Sequence, residues 1–313
     1  MNAAADAPVV RVRGLSKRFG TVRAVHSVDF DVGSGEIFGL VGPDGAGKTT
    51  TMRMLAGVMQ PDSGSISVDG IDVRGDPELA KRRLSYMPQR FGLYEDLTVR
   101  ENIYFYAELF SVPRRERTER GAELLRAAGL DGFENRLAGQ LSGGMKQKLG
   151  LVCALIHTPR VLLLDEPTTG VDPVSRRDFW AILYRLRESG VCILMATAYM
   201  DEAERCSRLA LFHAGEVRHC DTPQGLKAAM PGRLLAVRTA RPRAARAAIA
   251  GLAGVLGALL MGDKVHVRID GAEGRSAQLL AALRAAGIDD ATVEPATVSI
   301  EDVFVALLGE RGS

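Results

Sequence analysis

The stretch Gly42-Pro43-Asp44-Gly45-Ala46-Gly47-Lys48-Thr49-Thr50 constrains this chain more than any other. It fits Gly-x-x-x-x-Gly-Lys-[Ser/Thr], follows the apolar run Ile37-Phe38-Gly39-Leu40-Val41 and precedes the helix-like Thr50-Thr51-Met52-Arg53-Met54-Leu55-Ala56. Strand, glycine loop and helix in that order make a cradle for phosphate, because the glycines let successive backbone N–H groups turn onto the oxygens at a helix N-terminus. Lys48 adds a mobile positive charge near the β and γ phosphates, and the Thr49 hydroxyl can complete the shell of a Mg²⁺ ion.

At 313 residues the chain has room for one large domain and a smaller one, or for two of medium size. Its 40 Lys and Arg against 38 Asp and Glu leave no general basic field, so no nucleic-acid partner is expected. Cys153, Cys192, Cys206 and Cys220 form no C-x-x-C pair and fit free thiols in a reducing compartment. Met1 to Pro8 is small and acidic, unlike a signal peptide. The longest apolar run, Ala247 to Met261, falls short of the roughly 20 residues that a spanning helix needs and reads as a core helix followed by a strand. A membrane role would therefore run through a partner.

Val9 to Leu15 and His26 to Val32 alternate like half-buried strands, with Lys17-Arg18-Phe19-Gly20 between them. Phe19 is there either to stack on a base or to plug a loop. A strand over Ser65–Val68, a strand ending in Met87-Pro88-Gln89 and a helical region from about Leu97 to Gly129, broken at Ser111-Val112-Pro113, follow. Met145 to Ile156 reads as an apolar helix, and Val161-Leu162-Leu163-Leu164-Asp165-Glu166-Pro167 as a fully apolar strand ending in two carboxylates. Helix Val174–Glu188, strand Val191–Thr197, helix Met200–Cys206 and strand Arg208–His213 continue a β/α alternation that predicts a mostly parallel sheet covered by helices. Pro231-Gly232 marks a boundary. Beyond it the pattern strand, helix, strand, strand, helix, strand suggests a small ferredoxin-like α+β unit, closed by a helix that begins at Ser299.

Phosphoryl transfer to water rests on positioning and charge stabilisation. Asp165, at the end of a buried strand, is placed to hold Mg²⁺ through water, and Glu166 beside it to orient the attacking water. Ser142-Gly143-Gly144 offers a hydroxyl, two amides without side chains and a helix start, suited either to a second anion or to ordinary capping.

These motifs, in this order, resemble the nucleotide-binding domain of an ABC transporter: the phosphate loop, Gln89, Leu141-Ser142-Gly143-Gly144-Met145-Lys146-Gln147, Val161 to Glu166 and Gly170-Val171-Asp172. The similarity covers about residues 9–225. Tyr94 to Thr98 and the tail Val298-Ser299-Ile300-Glu301-Asp302-Val303-Phe304 are similar to ATP-binding subunits of bacterial drug-resistance exporters. The resemblance implies an α/β P-loop domain over residues 1–230, with a helical subdomain at about 90–158, and a small regulatory or dimerisation domain over 231–313. It implies an ATPase using ATP and Mg²⁺, peripheral on the cytoplasmic face of the membrane through an integral membrane permease subunit.

Two such domains, as homodimer or heterodimer, would clamp two ATP molecules, each between one chain's phosphate loop and the other's Ser142 and Gly144. Phe19 would stack on adenine, Gln89 would contact Mg²⁺ or water and sense the permease along with Phe91 to Asp96, and Asp172 would bridge the sites. One position departs from the family. Where a switch histidine is usual, the chain reads Thr197-Ala198-Tyr199-Met200-Asp201-Glu202, and Ala198 cannot donate to a γ-phosphate. Either Tyr199 or a water replaces that donor, or the chain is a weakly hydrolysing partner of a second ATPase domain. A soluble ABC protein acting on ribosomes or DNA is the remaining alternative. Drug, lipid and sugar polymer all stay open as cargo.

Overall fold

The computed structural model describes residues 7–90 and 92–308. The chain divides between Thr222 and Pro223 into two compact units. The first opens on a hairpin of β1 (Val10–Phe19) and β2 (Val22–Val32), then β3 (Ile37–Val41) runs into the phosphate loop and α1 (Lys48–Leu55). β4 (Ser63–Val68), β5 (Ile71–Asp72), α2 (Pro77–Arg83) and β6 (Leu84–Met87) follow. A helical stretch comprises α3 (Val99–Leu109), α4 (Arg114–Ala127) and α5 (Gly143–Leu155). The chain then alternates through β7 (Val161–Asp165), α6 (Pro173–Glu188), β8 (Cys192–Thr197), α7 (Met200–Ala203), β9 (Arg208–His213) and β10 (Glu216–Asp221).

Among the described residues this unit holds two sheets. One is antiparallel in the order β2-β1-β4-β5; the other runs β10-β9-β3-β8-β7-β6, parallel except for β10 at its edge. β3, β7 and β8 are buried along their whole length, which is why they read as unbroken apolar runs and not as alternating ones. Their registers, Val41 opposite Thr197 and Asp165 opposite Ala196, bring three carboxyl ends side by side. Ligands bind at that edge of an open α/β sheet.

Local chemistry sets the helix limits. Thr98 and Glu101 close a reciprocal capping box at the start of α3, Asp76 caps α2 with Pro77 in the first turn, and Asp172 caps α6 with Pro173 in the first turn. The expected break at 111–113 is present: Ser111 takes φ +56° and Pro113 precedes α4.

The second unit comprises α8 (Pro223–Ala228), β11 (Arg233–Arg238), α9 (Pro242–Ile249), β12 (Val255–Met261), β13 (Lys264–Ile269), α10 (Arg275–Ala285), β14 (Thr292–Pro295) and α11 (Ile300–Leu308). Its sheet runs β12-β13-β11-β14 with every neighbour antiparallel, the order of a split βαβ unit. Val265, Val267 and Ile269 pack with Ala245 and Ile249 of α9 and Leu279 and Leu283 of α10.

Two readings change. The boundary expected after residue 230 lies after Thr222, because α8 packs against α11 and buries Leu226. Lys17, Arg18 and Phe19 are not loop residues but the end of β1, paired with Val25, Arg23 and Val22. In the second unit His266 and Arg268 of β13 are buried as well, and Asp302 of α11 accepts from His266 at 2.8 Å. Phe91, expected at the permease contact, lies outside the described residues.

Candidate functional site

The phosphate loop ends in backbone that glycine alone adopts comfortably. Gly47, the residue before α1, has φ +104°, and a Cβ there would collide with the Ala24 carbonyl oxygen. No side chain caps α1, so its first-turn N–H groups are offered to a ligand. Lys48 is buried, and its ammonium donates to the carbonyls of Gly42 at 2.7 Å and Pro43 at 2.9 Å. Burial lowers its pKa, against the opposing charges of Glu166, Asp44 and Asp165. Asp44 to Thr50, with Ala24, Gln89 and Glu166, line a cleft of about 350 Å³.

Parallel pairing of β6 with β7 carries Gln89 and Glu166 to that cleft and Asp165 to the Thr49 hydroxyl behind it. The Asp165 carboxylate is buried; Thr49 donates its hydroxyl to Oδ1 at 3.0 Å and Tyr86 to Oδ2 at 3.2 Å. Burial raises the Asp165 pKa, while those two hydroxyls and the charges of Arg53 and Lys48 pull it down. Glu166 takes φ +50°, its N–H held by the Ala196 carbonyl at 2.9 Å. Its Oε2 accepts from the Gln89 amide at 3.1 Å and from the Thr169 hydroxyl at 3.4 Å. Lysine, hydroxyl, buried acid, second acid and amide thus converge.

The other expected residues gather elsewhere. Ser142 caps α5, its hydroxyl accepting from the Met145 N–H at 3.3 Å. Gly144 is buried against α6, where a Cβ would run into the Ser175 side chain and crowd Asp172. Asp172 accepts from the N–H groups of Val174 and Ser175, and these bonds lower its pKa. None of Ser142, Gly143, Gly144 and Asp172 lines the phosphate-loop cleft. Phe19 is 49% exposed, with the Lys17 ammonium 5.8 Å from its ring centre, so it plugs nothing.

Around Ala198, Thr197 donates to Glu202 Oε2 at 2.6 Å, Thr168 donates to Glu202 Oε1, and the Tyr199 N–H donates to Thr197 at 3.0 Å. The Tyr199 ring lies against the Arg176 guanidinium, 4.8 Å from it, and Arg176 pairs with Asp201 at 3.2 Å. Sequence reasoning missed Tyr86, Thr169 and the Thr168–Glu202–Thr197 set. For Tyr86 the signal was its place three residues before Gln89; the others carry no local motif.

A family profile described as "ABC transporter" matches residues 25–169. The chain is 42% identical over 309 residues to the "Probable multidrug ABC transporter ATP-binding protein YbhF" of Escherichia coli (strain K12), an alignment that takes in 97% of this chain and 53% of YbhF. The chain thus spans about half the length of that relative. It is 34% identical to the "Daunorubicin/doxorubicin resistance ATP-binding protein DrrA" of Streptomyces peucetius, over 96% of this chain and 92% of DrrA, second unit included. Among solved structures, an ATP-binding subunit of an ABC transporter is similar with a TM-score of 0.65 and 31% identity, over 70% of this chain and 92% of that one. A dimeric bacterial ABC transporter cassette gives 0.63 and 26%, over 68% and 98%. With a drug-resistance ATP-binding protein matched along nearly its whole length and a phosphate loop, Glu166 and Gln89 in one cleft, the chain belongs to the family of ABC transporter ATP-binding proteins.

Proposed function

We propose that this chain binds and hydrolyses ATP as the motor subunit of an exporter, pairing with a second ATP-binding domain and driving a membrane-spanning permease. The observation that carries this reading is a site in two halves. Loop, lysine, Gln89 and Glu166 share one cleft, with Asp165 buried behind Thr49, while Ser142, Gly144 and Asp172 lie apart from it at the junction of α5 and α6. An anion-reading helix start that does not face its own chain's cleft is suited to a second chain's nucleotide. No described helix is long and apolar enough to cross a membrane, so the pathway would belong to a partner, with this chain peripheral on the cytoplasmic face.

Thr49 and Asp165 suit Mg²⁺. They are oxygen donors, and no cluster of three or more His, Cys, Asp or Glu among the described residues forms an all-protein cage, in keeping with a cation that keeps phosphate and water ligands. When bound, Mg²⁺ would neutralise charge developing on the phosphates. Lys48 and the α1 amides hold the phosphates, Glu166 accepts a proton from the attacking water and orients it, and Gln89 fixes the Glu166 carboxylate. Phe19, exposed at the hairpin end, is free to stack on adenine.

Ala198 favours a second reading, a slowly hydrolysing chain that lends its Ser142 surface to another domain. The Tyr199 ring lies 4.8 Å from the Arg176 guanidinium, and neither Ala198 nor Tyr199 lines the cleft. Losing a donor aimed at transition-state charge costs about 10²- to 10³-fold. The test is the steady-state ATPase rate of the chain beside Ala198→His, with Glu166→Gln as blank. A rate near the blank that Ala198→His restores establishes the second reading. A brisk rate that Ala198→His leaves unchanged establishes the first.

A further inference from the structure

Tyr86 belongs to two places at once. It sits near the end of β6, opposite Leu163 of β7, and its hydroxyl reaches Asp165 Oδ2 at 3.2 Å while Thr49 holds Oδ1 at 3.0 Å. Its ring also lines a groove of about 670 Å³ outside the phosphate-loop cleft, with Ala56, Tyr106, Phe110 and His157 among the other walls. The Tyr86 side chain is half-buried, and its phenol O–H is the donor to Asp165. A carboxylate with a fixed donor on each oxygen has little freedom to rotate, and the two donors come from different elements.

We propose that Tyr86 is a positioning residue of the metal site, holding Asp165 in the orientation that receives Mg²⁺ and making that orientation depend on how the groove walls seat its ring. The proposal rests on the nucleotide reading above. Outer-shell donors of this kind are worth about 10- to 100-fold in metal affinity. Thr49 alone would leave Oδ2 unheld, so removing the phenol hydroxyl frees the carboxylate without altering the phosphate loop.

The test compares Glu166→Gln with Glu166→Gln/Tyr86→Phe, so that ATP is not consumed during the measurement. ATP affinity is determined by equilibrium dialysis with Mg²⁺ and again with EDTA, alongside a melting curve. Phenylalanine keeps the ring, so the fold and the EDTA affinity should be unchanged while the Mg²⁺-dependent gain in affinity shrinks about tenfold. A gain of equal size in both proteins overturns the proposal while leaving the metal reading intact. An equal loss with and without Mg²⁺, or a lowered melting temperature that accounts for the loss, shows a merely structural role and overturns it too. If Mg²⁺ adds nothing to the parent's affinity, both the metal reading and this proposal fall.

Discussion

Glu166 is held in the left-handed region at φ +50°, a conformation costing a non-glycine residue of order 1 kcal/mol or more, and a backbone bond to Ala196 fixes it there. Such strain persists where surrounding structure over-determines a side chain, and here the reward is a carboxylate aimed into the cleft beside Gln89. Gly144 has the opposite constraint, since its surroundings leave no room for a methyl group. Gly144→Ala should displace Ser175 and Asp172 and lower stability by about 1–3 kcal/mol, measured by urea unfolding. The same variant should weaken ATP-driven association, since the Ser142 surface shifts with it; unaltered unfolding and association would show that the packing is slack. Most of these residues were legible in sequence because Gly42 to Thr50 is a contiguous motif whose chemistry is local. Tyr86 was not, because its contact with Asp165 exists only once β6 pairs with β7.

Elements show where local pattern stops being informative. The buried strands β3, β7 and β8 and the last helix were readable from apolar runs and caps. β10, α2 and α8 were not, because two are short and polar and α8 owes its burial to α11. His157, just past α5, stacks on Phe110 with ring centres 3.7 Å apart, its Nε2 at 3.2 Å from the Leu84 carbonyl. Burial, helped by the Arg120 charge, lowers its pKa more than the Leu84 carbonyl raises it. A lowered folded pKa means that the unfolded chain takes the proton first, so stability falls as pH drops below about 6.5, with a slope of at most about 1.4 kcal/mol per pH unit. His157→Gln should flatten that limb in denaturant titrations between pH 7 and 5; an unchanged limb would place the acid sensitivity elsewhere. In the second unit, Asp302 accepts from His266 Nδ1 at 2.8 Å and from the Ser299 N–H and hydroxyl, tying α11 to β13. Asp302→Ala should cost about 1–3 kcal/mol for the orphaned histidine donor, and it also removes the acceptor of the Ser299 N–H, the return half of a capping box, so the denaturation midpoint should fall. A loss below about 0.5 kcal/mol would show that neither contact contributes.

At the scale of the whole molecule, the chain carries two exposed helix starts suited to anions: that of α1, in the phosphate-loop cleft, and that of α5 at Ser142, which does not line that cleft. Basic and acidic residues are nearly equal in number, and no described helix is long and apolar enough to cross a membrane. The sequence could indicate both halves but not their separation, which follows from packing α5 on α6. The claim that two chains complete each other's sites is tested most directly by complementation. One chain carries Lys48→Ala, disabling its own loop; the other carries Ser142→Arg, blocking its own helix start; both carry Ala198→His so that turnover is measurable. The account predicts that neither hydrolyses ATP alone and that mixing restores hydrolysis, because one intact loop then meets one intact Ser142 surface. A Ser142→Arg chain that hydrolyses ATP at the parent rate by itself would contradict it.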